Sequence, residues 1–197
     1  MHLVIASHNV HKIREFRAML KHLKHIDFLS LIDFPDYTPP EETGATFEEN
    51  AILKATHAAK ALNAWAIADD SGLIVPALNG APGVFSRRYA GEHATDKDNR
   101  IKLLAEMRAI DAPFRQGVFE CWIALASPEG LKKCVKGAGE GMIKQEDRGN
   151  LGFGYDSIFI KYEYGKTFAE LEEDTKNRIS HRRKALDKIV PLIESLI

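Results

Sequence analysis

An α/β fold is predicted for this 197-residue chain from three observations. Short apolar runs alternate with segments of helical period, a capped helix carries a narrow alanine face suited to lying on a sheet, and polar or glycine-rich loops follow the apolar runs. The chain shows no internal repeat, low-complexity tract or clear linker. That favours two lobes on one sheet over two independent domains, and one domain spanning residues 1–197 is expected.

The elements follow in order. His2 to Ala6 reads as a short apolar strand, and the polar turn Ser7-His8-Asn9-Val10 leads into a basic helix from about Lys12 to Leu23. Ile13, Phe16, Leu20 and Leu23 recur there at helical spacing, and the first N–H groups are expected to face back toward the strand end, where anions bind. Ile26 to Ile32 is a second strand, Pro35 to Pro40 a loop, and Glu41-Glu42-Thr43-Gly44 an exposed acidic segment. Thr46-Phe47-Glu48-Glu49 forms a capping box, so a helix begins there and runs to about Asn63. Its buried face is Phe47, Ala51, Ala55, Ala58, Ala59 and Leu62.

Ala66 to Ala68 and Leu73 to Val75 are expected as short strands flanking a turn at Asp69-Asp70-Ser71-Gly72, followed by the irregular loop Asn79-Gly80-Ala81-Pro82-Gly83. Asp96 to Met107 is helical. Val118 to Ala126 is a long strand that turns at Ser127-Pro128-Glu129-Gly130 into Leu131 to Lys136, a hairpin. Gly137, Gly139 and Gly141 are expected to loosen the chain before Met142-Ile143. A second glycine-rich loop, Gly149 to Asp156, precedes the strand Ile158-Phe159-Ile160. Thr167 to Glu173 is a short helix capped by Thr167 and Glu170, and Ser180 caps a last helix that buries Ala185, Leu186, Ile189, Val190 and Ile193 and kinks at Pro191.

Composition excludes several classes. Lys and Arg number 27 against 28 Asp and Glu, a formal charge of -1, which leaves no electrostatic footprint for a nucleic-acid polymer. Any phosphate binding must be local. The N-terminal apolar run is too short for a signal-peptide core and no stretch could span a bilayer, so no membrane partner is expected. Cys121 and Cys134 lack the spacing of a zinc knuckle or redox pair and read as reduced thiols of a cytoplasmic protein.

The strongest chemical signal is Asp69-Asp70-Ser71-Gly72, directly after Trp65-Ala66-Ile67-Ala68. Adjacent acids at the end of a buried strand repel unless a cation or proton offsets them, and Mg²⁺ is the natural cation. Taken alone, the tetrapeptide reads more readily as a polar turn. In the first loop Ser7 and Asn9 offer neutral hydrogen bonds and Lys12 a point charge beside a helix start, suited to an anion; an ordinary strand-to-helix loop with a solvated lysine is the alternative. His8, His11, His22 and His25 are read as surface residues in a basic stretch, not as metal ligands. Phe153-Gly154-Tyr155-Asp156 sets aromatic faces on a glycine loop, suited to stacking on a purine, or else forms a glycine bend before a core strand.

Five segments together resemble the motif set of the Ham1, or inosine triphosphate pyrophosphatase, family. They are Ser7-His8-Asn9-Val10-His11-Lys12, Glu42 to Ala51, Ala68-Asp69-Asp70-Ser71-Gly72, Gly152-Phe153-Gly154-Tyr155-Asp156 and Ser180-His181-Arg182, in matching order from residue 3 to about 190. The resemblance implies a long mixed twisted sheet flanked by helices, two lobes with a nucleotide cleft between them, and a homodimer. It implies hydrolysis of the non-standard purine nucleoside triphosphates ITP, dITP and XTP to monophosphate and pyrophosphate with Mg²⁺. By the same resemblance Ser7, Asn9, Lys12 and Ser71 meet the phosphates, His8, Val10 and His11 belong to the same substrate-binding segment, and Asp70 is the proton acceptor. Glu42 and Asp70 form the metal pair, a donor set that suits Mg²⁺, with Asp69 and Glu41 as further acids nearby. Phe153, Gly154, Tyr155 and Asp156, joined by Lys176, His181 and Arg182, bind the base, the basic side chains donating to a 6-oxo group that adenine lacks. Leu151 and Ser157 depart from the family's usual glycine and proline. The runners-up are a Maf-like pyrimidine nucleoside triphosphate pyrophosphatase, whose serine-rich, arginine-bearing first loop is absent, and a non-catalytic purine-nucleotide-binding module.

Overall fold

The computed structural model describes residues 2–196. Its strands are β1 (His2–Ile5), β2 (Asp27–Ser30), β3 (Trp65–Ile74), β4 (Gln116–Ser127), β5 (Gly130–Ile143), β6 (Phe159–Lys161) and β7 (Lys166–Thr167). The helices are α1 (Val10–Leu20), α2 (Phe47–Leu62), α3 (Asp96–Glu106), α4 (Glu173–Ile179) and α5 (His181–Glu194). The strands form one mixed sheet of order β2-β1-β3-β4-β5-β6-β7. β1 pairs in parallel with β2 and β3, whereas β6 pairs antiparallel with β5 and β7. Among the described residues no helix is long and apolar enough to cross a membrane.

The chain divides into two compact units, the described residues of Met1–Asp70, Cys121–Gly137 and Arg182–Ile197, and those of Ser71–Glu120 and Ala138–His181. In the first, strand alternation sorts the core onto two faces. Leu3, Ile5, Ile67, Cys121, Ile123 and Leu125 pack with α1 and α5, through Ile13, Phe16 and Leu20 and through Leu186, Ile189 and Ile193. Val4, Ala6, Ala66, Ala68, Ala124 and Ala126 pack with the alanine face of α2, Ala51, Ala55, Ala58 and Ala59. Small residues on both partners let α2 approach the strands closely, while each larger side chain buried on the other face contributes roughly 1.5–3 kcal/mol. The second unit has its own core, in which Leu73, Leu103, Met107, Phe119, Phe159 and Phe168 are buried.

Several sequence expectations change. α1 begins at Val10, capped by Asn9, whose Oδ1 accepts from the N–H groups of His11 and Lys12, and it ends at Leu20. Thr46 caps α2 as expected, but Glu49 reaches back to the Ala45 N–H. β5 continues through the glycines that were expected to loosen it. A side chain at Gly141 would stand 2.2 Å from the Ile160 carbonyl, so glycine there permits the β5 to β6 pairing. Thr167 and Glu170 form their capping box around a 3-10 turn, and α4 is a separate helix. α5 runs on through Pro191 to Glu194. Most consequentially, Asp69-Asp70-Ser71-Gly72 is no turn: it lies inside the ten-residue strand β3.

Candidate active site

Because successive side chains of a strand point to opposite faces, Asp69 and Asp70 do not crowd one another. Asp69 joins the face of α1 and α5, and Asp70 joins the face of α2. Each carboxylate then has its own directly bonded cations, although the fields of Lys12 and Lys54 reach both. This overturns the expectation of a turn presenting two neighbouring acids that share one counter-ion.

On the α2 face, Asn50 and Lys54 stand one helical turn apart and both reach Asp70. Asn50 Nδ2 donates to Asp70 Oδ2 at 3.2 Å, and Lys54 Nζ donates to Asp70 Oδ1 at 2.9 Å. Lys54 also donates to Glu42 Oε1 at 3.1 Å, so its ammonium bridges the two acids. Asn50 further accepts the Gly44 N–H at 2.8 Å, tying the acidic loop to the strand. A Cβ at Gly44 would lie 2.5 Å from that Asn50 oxygen, hence glycine. Burial raises the Asp70 carboxyl above its ordinary value of 3.8, an effect Lys54 and Lys12 only partly oppose. Burial works against the Lys54 ammonium, but Asp70, Glu42 and Asp69 outweigh it and hold the lysine charged.

On the opposite face, Arg182 at the start of α5 donates through Nε and Nη2 to Asp69 Oδ2, at 3.2 and 2.7 Å, and through Nη1 to Glu15 of α1. Lys12 Nζ lies 3.1 Å from the same Asp69 oxygen. Burial alone would raise Asp69, yet Arg182, Lys12 and Lys54 hold it far below the usual carboxylate range. The same two acids, Asp69 first, hold the buried Arg182 charged. At 1 % exposure, the Arg182 guanidinium is bonded to Asp69 and Glu15 in this structure. Ser7 Oγ accepts the Asn9 N–H, so Ser7 and Asn9 build the α1 cap. Val10 is exposed, as are His8 and His11.

In the second unit, Asp156 Oδ2 accepts from Lys176 Nζ at 2.6 Å and from the Phe153 N–H at 2.9 Å. Lys176 Nζ sits 4.8 Å from the centre of the Phe153 ring, so the structure does bring Phe153, Asp156 and Lys176 together. The His181 ring stacks on Phe119 at 4.8 Å. Tyr155, only 4 % exposed, packs in the core with its hydroxyl donating to the Ser86 carbonyl. Ser71 follows Asp70 in β3 and is partly buried.

Sequence reasoning missed Lys54, Glu15 and the role of Asn50. One signal existed: Asn50 and Lys54 are a polar pair at i, i+4 on the helix that otherwise turns alanines to the sheet. Glu15 carried none, being an acid in a basic helix whose partner is 167 residues away. As for a metal, no group of three His, Cys, Asp or Glu side chains is placed to hold one among the described residues. Two acids already bridged by an ammonium nonetheless fit Mg²⁺, which commonly takes one or two carboxylates and fills its other positions with water and phosphate oxygen.

The mixed sheet flanked by helices, with a buried acid on β3 held by lysine and carboxamide, defines an α/β protein with a buried charged cluster on its sheet. The chain belongs to the Ham1 family, whose model matches residues 3–192. It is 56 % identical over 197 residues to a dITP/XTP pyrophosphatase of Protochlamydia amoebophila, covering 100 % of this chain and 99 % of that one. To a protein of the same name from Chlamydia caviae it is 53 % identical over 198 residues, covering 100 % and 96 %. Among solved structures, a HAM1 protein from Coxiella burnetii superposes with a TM-score of 0.89 at 44 % identity and 99 % coverage of both chains. The Staphylococcus aureus Ham1 protein gives 0.87 at 42 % identity and 100 % coverage of both.

Proposed function

We propose that this protein hydrolyses non-standard purine nucleoside triphosphates, ITP, dITP and XTP, to the monophosphate and pyrophosphate, with Mg²⁺. The observation that carries the reading is Asp70, buried, raised in pKa and held at both oxygens by Asn50 and Lys54. It stands in a chain more than half identical to proteins named dITP/XTP pyrophosphatase. An acid raised above an exposed aspartate's pKa is a stronger base when ionised.

In this reading the Asp70 carboxylate takes a proton from the attacking water as its oxygen bonds to the α-phosphorus. The bond from that phosphorus to the bridging oxygen breaks, and pyrophosphate leaves. Glu42 and Asp70 would hold Mg²⁺, which when bound neutralises charge on the phosphate oxygens. Lys54 opposes the burial that raises Asp70, and Lys12, fixed by Asp69, offers its charge to the phosphates. Phe153 offers its ring face to the purine, and Lys176 donates to a 6-oxo group. The homodimer is carried over from the family resemblance, and the cytoplasmic setting from the reading of Cys121 and Cys134 as reduced thiols.

Hydrolysis of ITP in ¹⁸O-labelled water tests the reading. Label in the inosine monophosphate, with one pyrophosphate per turnover, is expected. Label in pyrophosphate, or orthophosphate as first product, would refute attack at the α-phosphorus.

A further inference from the structure

The aromatic loop is held from outside itself, by residues to which no role has so far been given. Gly154, between Phe153 and Tyr155, is gripped on both of its backbone polar groups by the first turns of α3. Its N–H donates to Asp96 Oδ2 at 2.7 Å, and its carbonyl accepts from Arg100 Nη1 at 2.8 Å. Asp96 and Arg100 are four residues apart and so share a helix face. The Asp96 carboxylate is not needed for capping α3, because Thr95 and Asp98 form that box.

A third group completes the grip. Arg100 Nε donates to Asp147 Oδ1 at 2.6 Å, and the Ser157 hydroxyl donates to the same oxygen. Gly154 has a φ of +63°, a conformation a residue with a side chain adopts only under strain, so the loop needs glycine here and gains no rigidity from it. The external bonds supply that rigidity. Within the loop, Asp156 fixes the Phe153 N–H and Lys176 through one oxygen.

We infer that Asp96 and Arg100 are positioning residues that set the Phe153 ring against Lys176, so that the affinity for the base is tuned from α3. The inference rests on the proposed role of Phe153 and Lys176 in base binding. Both act through the Gly154 peptide groups that they bond. Losing one charge-assisted hydrogen bond should weaken ITP binding about tenfold, with the bond-breaking step nearly untouched.

The test is steady-state kinetics on the intact protein, comparing Arg100→Ala, Asp96→Ala, Phe153→Ala and the double variant Arg100→Ala with Phe153→Ala, each checked by thermal unfolding. Asp96 is exposed, so its variant keeps the test open should Arg100→Ala fold poorly. Each α3 variant is expected to raise the KM for ITP about tenfold with kcat within about twofold, and Arg100→Lys to recover part of it. The double variant should be no worse than Phe153→Ala, because the clamp then has no ring to place. An unchanged KM in the folded α3 variants, with a raised KM in Phe153→Ala, overturns the clamp and leaves the base-binding role standing. Additive effects in the double variant also overturn it. An unchanged KM in Phe153→Ala removes the base-binding role and the clamp with it.

Discussion

At the Asp70 carboxylate, burial and charge act in opposite directions, and burial prevails. Asp70→Asn keeps the side-chain shape and the neighbours but removes the base. ITP turnover is expected to fall about 100-fold or more with the fold retained, measured by pyrophosphate release alongside thermal unfolding. Lys54→Met asks a different question of the same place, since it leaves Glu42 and Asp70 facing one another without their bridging ammonium. Breaking a buried pair from one side costs about 3–5 kcal/mol. The variant should therefore melt well below wild type in EDTA and recover part of the loss in millimolar Mg²⁺; equal losses with and without metal would count against a metal at this pair. At Lys176, substitution by Met should lower the ratio of kcat/KM for ITP over ATP by about tenfold or more, because the donor proposed to prefer a 6-oxo group is gone. A retained ratio would place selection elsewhere.

The elements show where local sequence is a good guide and where it fails. The alanine face of α2, its Thr46 cap and the periodic face of α1 were all legible, because period and capping chemistry are local. Two strands, β3 and β5, are longer than their sequences suggest. Asp-Asp-Ser-Gly and the Gly137, Gly139, Gly141 series resemble turn and loop composition, yet both lie inside long strands. A strand is held by its neighbours' backbone groups, so polar or small residues are tolerated where a partner strand or side chain satisfies them. Gly141 makes this testable. Gly141→Ala would push a methyl to 2.2 Å from the Ile160 carbonyl and into the Phe159 ring, so a loss of about 1–3 kcal/mol is expected in denaturant unfolding. A neutral result would mean the β5 to β6 pairing yields more readily than this geometry allows.

Over the whole molecule charge is nearly balanced, at -1, so pH acts on stability through particular groups. Asp69 has a folded pKa below its ordinary value of 3.8, so near and below that value the unfolded chain binds more protons. Its contribution is therefore complete above the unfolded pKa and is lost as pH falls through that value toward the folded one. Asp70 has the opposite sign: its raised pKa gives a contribution complete below 3.8 that declines as pH rises through the folded value. The melting temperature of Asp69→Asn should lie furthest below wild type near neutral pH, and the gap should narrow between about pH 5 and pH 3. A gap independent of pH would show that the Arg182 contacts stabilise by packing, not by charge.

From the residues alone one could read the α/β class, the caps, the apolar faces and the motif set that places the chain in the Ham1 family, because each is written in short-range pattern. Glu42, Asp70, Lys12, Phe153 and Lys176 could be singled out by residue type and motif. Which partner each would meet could not. The contact of Arg182 with Asp69 spans 113 residues and that of Lys54 with Asp70 spans 16, and no local period encodes either. Folding settles these pairings through strand alternation. Once β3 is a continuous strand, consecutive acids must point to opposite faces, and each face brings the cations of its own helices. Arg182 thus becomes the anchor of Asp69, Lys54 the partner of Asp70, and Tyr155 a core residue, since burial and neighbours are fixed only when distant segments pack together.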